Sequence, residues 1–357
     1  MLIMKNDNVS YFRPEIDAMN GYAPGEQPKV CNLIKLNTNE NPYPPSPHVV
    51  EFLQRFAAEN LRLYPEPLAD SLRDTIAEVN GVRRENVITG NGSDDILTIV
   101  VRCFCDAQRP MACINPTYSL YPVLAELQGA TCRRIELTDD FALPENLLAQ
   151  AAGANLLMMA RPNAPTGNLF PKAEVEKICA EFRGMVFIDE AYVDFSPNNC
   201  LDLALRYPNV IVSRTMSKSY AMAGARLGYA ISNPATIDGM MKMKDSYNVN
   251  MLTQKIAMEA FRDREYLQAT VKRIIATRER IAGELRQTGF TIIPSSTNFL
   301  FASPPDGDGH RYFEELRKNS IIVRYFPGEK TGRYVRISIG TDADMDRVME
   351  ITRRIYG

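Results

Sequence analysis

Between residues 86 and 231 short apolar runs alternate with stretches of helical spacing, and this alternation restricts the fold more than any other feature of the chain. The runs fall at 86–89, 111–114, 131–135, 156–160, 185–188, 210–213 and 228–231. Helical spacing occupies 94–105, 117–128, 144–152 and 171–183. Strands joined through helices need crossover connections, so the expected architecture is α/β, with a mostly parallel sheet of seven-stranded type covered by helices on both faces. Upstream, residues 1–45 are irregular and proline-rich; helical spacing at 46–59 and 67–80 brackets an extended Leu63-Tyr64-Pro65-Glu66-Pro67. Downstream, one long helix over 253–287 is expected. After it come strands at 291–293, 298–302, 321–325 and 334–339 and helices at 309–319 and 342–355, a smaller α+β unit. The expected division is 1–45 as N-terminal arm and small-domain segment, 46–250 as the large ligand-binding domain, and 251–357 as the C-terminal small domain.

Composition removes several functions. A formal net charge of −2 gives no electrostatic basis for nucleic acid or an anionic membrane as partner, so any anion must be caught by a local site. No apolar run is long enough to span a bilayer, and the N-terminus lacks the order of a signal peptide, so a cytoplasmic protein is expected. The seven cysteines (Cys31, Cys103, Cys105, Cys113, Cys132, Cys179 and Cys200) are scattered without a CxxC pair and read as reduced thiols. Only His48 and His310 represent histidine, which argues against a histidine-based metal site or a Ser-His-Asp triad. The natural proton carrier is then a lysine, and no metal is expected.

Four segments carry the chemistry. The apolar run ending in Ile188-Asp189-Glu190-Ala191-Tyr192 delivers a carboxylate to the carboxyl edge of a parallel sheet, where open α/β folds bind ligands. A second run leads into Arg214-Thr215-Met216-Ser217-Lys218, and Arg226 follows eight residues beyond the lysine. Gly90-Asn91-Gly92-Ser93 forms a glycine turn at a helix start. A lysine at that edge forms an imine with an aldehyde, and pyridoxal 5'-phosphate is the commonest aldehyde cofactor. An aspartate facing its ring nitrogen keeps that nitrogen protonated, so the ring accepts electrons. The backbone N–H groups of Ser93 and Asp94 after Gly92 suit a phosphate, with the hydroxyls of Ser93, Thr215 and Ser217 and the guanidinium of Arg226 completing the anion site. Each feature alone is weak: a strand-end carboxylate is commonly structural, and a lysine after a strand is commonly a solvated surface group. Their order along the chain is what joins them.

These segments resemble those of fold-type-I aminotransferases, and in detail the histidinol-phosphate aminotransferase family. The resemblance covers nearly the whole chain and rests on Leu36-Asn37-Thr38-Asn39-Glu40-Asn41-Pro42-Tyr43, Asn91-Gly92-Ser93-Asp94-Asp95, Pro116-Thr117-Tyr118-Ser119-Leu120-Tyr121, Asp189-Glu190-Ala191-Tyr192, Ser217-Lys218 and Val335-Arg336-Ile337-Ser338-Ile339-Gly340-Thr341. It implies that Tyr118 stacks on the cofactor ring and that Tyr192 hydrogen-bonds its phenolic oxygen. Tyr64 would reach the phosphate of the neighbouring subunit's cofactor, which implies a homodimer with shared active sites. Arg336 would clamp the substrate α-carboxylate, and Tyr22, Arg324 and Tyr247 match positions associated with the distal phosphate; Asn39 lies in the same substrate-binding set. The implied substrates are histidinol phosphate or imidazole-acetol phosphate on one side and glutamate or 2-oxoglutarate on the other. One position departs from the family: where members often carry asparagine before the Pro-Thr-Gly turn, this chain has Ala164. Either Asn163 replaces it, or Tyr192 alone holds the phenolic oxygen.

Three rivals share these residues. An aminotransferase for aromatic amino acids would use the same core, and a decarboxylase of the same fold acting on threonine phosphate would release carbon dioxide. A non-catalytic sensor would need an attached DNA-binding module, for which the sequence offers no basic stretch.

Overall fold

Successive residues of a strand point to opposite faces of its sheet, and in the central strands of this chain both sets are apolar. Leu156 and Met158 pack on one side with Ile96, Val100, Tyr121 and Leu124, while Leu157 and Met159 pack on the other with Val175, Ile178 and Leu203. Each such fully buried side chain contributes about 1.5–3 kcal/mol, so a strand with two apolar faces can only sit between two helical layers. The computed structural model, which describes residues 10–22, 25–27 and 32–357, has this arrangement.

The main sheet is seven-stranded, in the order Val87–Asn91, Leu227–Ile231, Val210–Thr215, Met185–Asp189, Leu156–Ala160, Met111–Asn115, Cys132–Glu136. Leu227–Ile231 runs antiparallel to both of its neighbours, and every other pairing is parallel. The carboxyl ends of Met185–Asp189 and Val210–Thr215 therefore lie side by side, with Asp189 registered on Ser213. Helices Leu201–Arg206 and Pro234–Met241 also flank this sheet; neither stood out in the sequence.

A second, four-stranded antiparallel sheet follows in the order Arg324–Tyr325, Val335–Ser338, Phe299–Ser303, Thr291–Ile293. Helices Arg264–Gln287, Gly309–Lys318 and Asp342–Tyr356 share a core with it. The expected strand over 321–325 is two strands. Ile321–Ile322 pairs in parallel with Ile34–Lys35, while Arg324–Tyr325 joins the four-stranded sheet, and the buried Val323 is the pivot between them. The expected irregular arm likewise contains this short strand and a helix at Pro14–Ala18; residues 1–9 and Cys31 lie outside the described residues.

The long helix expected over 253–287 is interrupted. It is two helices, Met251–Arg262 and Arg264–Gln287, broken at Asp263 (φ −90°, ψ 67°). The Asp263 side chain accepts from the Tyr266 N–H at 3.2 Å, capping the second helix, and also accepts from the Ser46 hydroxyl. Short polar side chains that bond the backbone favour such caps over helix interiors, and apolar spacing alone does not register the break. Among the described residues no helix is long and apolar enough to cross a membrane, and all six cysteines among them are free thiols.

Candidate active site

Asp189 is the last residue of its strand and is 5% exposed. Its Oδ1 accepts from the Ala191 N–H at 3.0 Å and from the Ser213 hydroxyl at 3.4 Å; its Oδ2 accepts from the Tyr121 hydroxyl at 2.8 Å. Burial pushes this carboxyl up to about 6; the bonds from Tyr121 and Ala191 oppose the rise and nearby Asp94 adds to it. Glu190, the next residue, faces away and forms a buried ion pair with Arg214, whose Nε and Nη2 lie 2.9 and 2.8 Å from Oε2. A carboxyl held above its unfolded value costs stability once ionised, a loss that sets in as the pH rises above about 4 and is complete above pH 6. The cofactor-free Asp189→Asn chain is therefore expected to exceed the natural chain in stability at pH 7 by on the order of 2–3 kcal/mol, and to match it near pH 4. Urea unfolding at both pH values checks this, and equal stabilities at pH 7 would contradict it. A cation beside Asp189 would remove the cost.

Lys218 leaves the neighbouring strand. Its Nζ donates to the Thr38 carbonyl at 3.2 Å and lies 5.7 Å from the centre of the Tyr192 ring. The Thr38 carbonyl is set by Asn39, which adopts the left-handed conformation (φ 55°), one that asparagine tolerates better than most residues. Asn39 is held there on all sides. Its backbone N–H donates to the Ser338 hydroxyl at 2.9 Å, its carbonyl accepts from Asn298 at 2.9 Å, and its amide donates to the Tyr192 hydroxyl at 2.8 Å. Tyr192, a buried residue, thereby has its hydroxyl fixed in place.

The place where an anion could be held lies where the helix Ser93–Phe104 begins. Gly92 sits at φ 88°, and a Cβ on it would lie 2.4 Å from Nη2 of Arg226. A Cβ on Gly228 would lie 2.4 Å from the Ser93 nitrogen. Only glycine at both positions lets the guanidinium and the adjacent strand close around the helix start. Arg226 itself has a left-handed backbone (φ 54°), an arrangement that costs on the order of 1–3 kcal/mol and that clusters at ligand clamps. Its Nη2 lies 3.1 Å from Asp94 Oδ2. The Thr215 hydroxyl donates to the Ser217 hydroxyl at 3.0 Å, so both face the same space.

Across the cavity, Arg324 and Arg336 are register partners on antiparallel strands. Like charges directly opposite each other destabilise a sheet, and among the described residues neither guanidinium has a carboxylate within ion-pair distance. Arg336 donates to the Asn37 carbonyl at 2.8 Å, and its Nε is buried without a partner. Burial makes its guanidinium give up a proton more readily than usual; Tyr192 opposes that and Arg324 adds to it. Two adjacent cations with an unspent donor are arranged for an anion.

These groups surround one cavity of about 450 Å³. Of the residues expected from the sequence, Tyr22, Asn39, Ser93, Asp94, Tyr118, Asp189, Tyr192, Thr215, Ser217, Lys218, Arg226, Arg324 and Arg336 line it. Gly92 stands just behind, shaping the cradle. Asn163 does not line it. Its amide donates to the Pro116 carbonyl at 3.0 Å and to the Thr166 hydroxyl at 2.7 Å, fully buried, and Ala164 takes the place on the wall. Tyr64 and Tyr247 also stand away from it, stacked on each other at 4.6 Å with Tyr64 80% exposed. Sequence reasoning missed Tyr121, the Thr38 carbonyl, Gly228 and Glu40, whose carboxyl is held below its usual range: burial opposes the shift, and bonds from Lys35 and Thr38 outweigh it.

A cavity lined by one lysine, a buried carboxyl, a helix start facing Arg226 and two arginines without a carboxylate partner among the described residues suits aminotransferase chemistry. The chain belongs to the class I and II aminotransferases, whose family model matches residues 32–351. A histidinol-phosphate aminotransferase of Microcystis aeruginosa is 42% identical over 336 residues, 94% of this chain and 96% of that protein. One from Trichormus variabilis is 42% identical over 334 residues, 93% of this chain and 95% of that protein. The solved structure of histidinol-phosphate aminotransferase from Sinorhizobium meliloti in complex with pyridoxal-5'-phosphate superimposes with a TM-score of 0.89 at 26% identity, covering 98% of this chain and 99% of that one.

Proposed function

We propose that this chain is a pyridoxal-phosphate-dependent aminotransferase that exchanges an amino group between histidinol phosphate and 2-oxoglutarate, giving imidazole-acetol phosphate and glutamate. The observation that carries the reading is the Arg324–Arg336 pair, two facing cations without a carboxylate partner among the described residues, in the cavity that also holds Lys218. One substrate ends in a phosphate and the other carries an α-carboxylate, and guanidinium groups accept both anions. When bound, the cofactor supplies an aldehyde that condenses with amines and a protonated ring that accepts electrons. Lys218 Nζ is the amine at that aldehyde and the base that takes and returns the proton at the substrate's α-carbon. Asp189 would accept from the ring N–H, and Tyr192, oriented by Asn39, would donate to the phenolic oxygen. The Ser93 and Asp94 N–H groups, the hydroxyls of Ser93, Thr215 and Ser217, and Arg226 bind the phosphate.

A homodimer belongs to the same proposal: the exposed, stacked Tyr64 and Tyr247 suit a role in a partner's site better than in their own. So do the division at 1–45, 46–250 and 251–357 and a cytoplasmic location. A coupled assay comparing histidinol phosphate, phenylalanine and tyrosine as amino donors to 2-oxoglutarate tests the substrate. Histidinol phosphate should lead in kcat/KM by about tenfold or more. Comparable rates, or carbon dioxide released without 2-oxoglutarate, would overturn it. Arg336→Gln should raise KM for both substrates by about 10–100-fold, the worth of a hydrogen bond between charged groups. An unchanged KM for both would move the anion clamp elsewhere.

A further inference from the structure

We propose that Tyr121 is a positioning residue for the reaction, the group that assigns Asp189 Oδ2 to the cofactor's ring nitrogen while bracing the tyrosine beside that ring. The inference rests on the reading that Asp189 faces a protonated ring nitrogen, and extends it to a residue outside the cavity. Tyr121 is fully buried in the first turn of the helix Leu120–Leu127. Its hydroxyl donates to Asp189 Oδ2 at 2.8 Å, and its ring meets Tyr118 edge-on, with centroids 5.7 Å apart and planes at 86°. Tyr118 lines the cavity and Tyr121 does not. One side chain thus touches both the carboxylate expected beneath the ring nitrogen and the aromatic expected against the ring face.

The two carboxylate oxygens are not equivalent. Oδ1 is occupied by the Ala191 N–H and the Ser213 hydroxyl, both from the sheet side. Oδ2 has Tyr121 as its donor and a second lone pair left for an N–H. Burial raises the Tyr121 phenol well above its usual value, so it remains a neutral donor at any working pH. The ionisable groups around Asp189 are Tyr121 on one helix, Asp94 on another and Lys218 and Tyr192 across the cavity; Tyr121 eases ionisation of the carboxyl and Asp94 opposes it. Without Tyr121, Oδ2 would rely on the ring N–H alone in a dry pocket, and the carboxyl would hold its own proton more readily.

The test follows the Asp189 carboxyl by carbon NMR in the cofactor-free chain with labelled aspartate, comparing the natural protein, Tyr121→Phe, and 3-fluorotyrosine at position 121. The Tyr121→Phe chain should titrate about one pH unit higher than the natural one, and the more acidic fluorophenol should titrate lower. Fluorotyrosine preserves the ring, so it decides the matter even where phenylalanine impairs folding. In the loaded protein, Tyr121→Phe should keep one cofactor per chain and its substrate KM, yet exchange the substrate's α-hydrogen with solvent about tenfold more slowly. An Asp189 titration that ignores both replacements overturns the proposal. A titration that moves while exchange stays unchanged also overturns the positioning role, and would locate the fault in the placement of Asp189 against the ring rather than in the hydrogen bond.

Discussion

Alanine at position 218 is expected to remove the visible absorbance of the bound cofactor's lysine linkage and to lower turnover by about 10³–10⁴-fold or more. Among the described residues Lys218 is the one lysine lining the cavity, and its Nζ is already parked 3.2 Å from the Thr38 carbonyl. Lys35, the next amine along that segment, is ion-paired with Glu40 and bonded to the Thr38 hydroxyl, so it is not free to substitute. The folded state should be nearly unaffected, because Lys218 is half-buried and makes one long hydrogen bond. Single-turnover measurement of α-hydrogen loss from the amino substrate checks the effect directly, and a variant with normal turnover would remove the lysine from the mechanism.

Asp189→Asn should retain bound cofactor, since the phosphate cradle is untouched, yet slow α-proton removal by on the order of 10²-fold or more. Asparagine keeps the shape and can still accept from Tyr121, but it carries no charge to hold the ring nitrogen protonated. The same substitution that slows chemistry should stabilise the cofactor-free chain near neutral pH, because the ionised carboxylate is buried without a counter-charge. Opposite signs in rate and stability from one substitution separate a catalytic charge from a structural one. Unchanged α-proton exchange would mark Asp189 as structural.

Much of this site was legible in the sequence because strands end where apolar runs end. Asp189 and Lys218 follow two such runs, and parallel pairing brings neighbouring run ends to one sheet edge. Gly92, Ser93 and Arg226 could be joined to them through the chemistry of phosphate binding. Residues whose role lies in their backbone or in long-range packing were hidden. Thr38 acts through its carbonyl, which any residue possesses, and Gly228 matters through the 2.4 Å that a Cβ would leave to Ser93. Tyr121 occupies a core position on an apolar helix face, where an aromatic reads as packing. The breaks at Asp263 and Val323 arise from a side-chain cap and from a strand changing sheets, and apolar spacing is blind to both. Asn163 and Ala164 show the converse: adjacent letters seemed interchangeable, yet the cavity wall takes the alanine and the loop consumes the asparagine.

The most direct measurement is borohydride reduction of the protein after incubation with pyridoxal 5'-phosphate, followed by digestion and mass spectrometry of the peptides. The expected result is one phosphopyridoxyl group per chain, carried by Lys218. Label spread over exposed lysines such as Lys242 and Lys318, or no fixed label at all, would contradict the assignment of this cavity as the cofactor site.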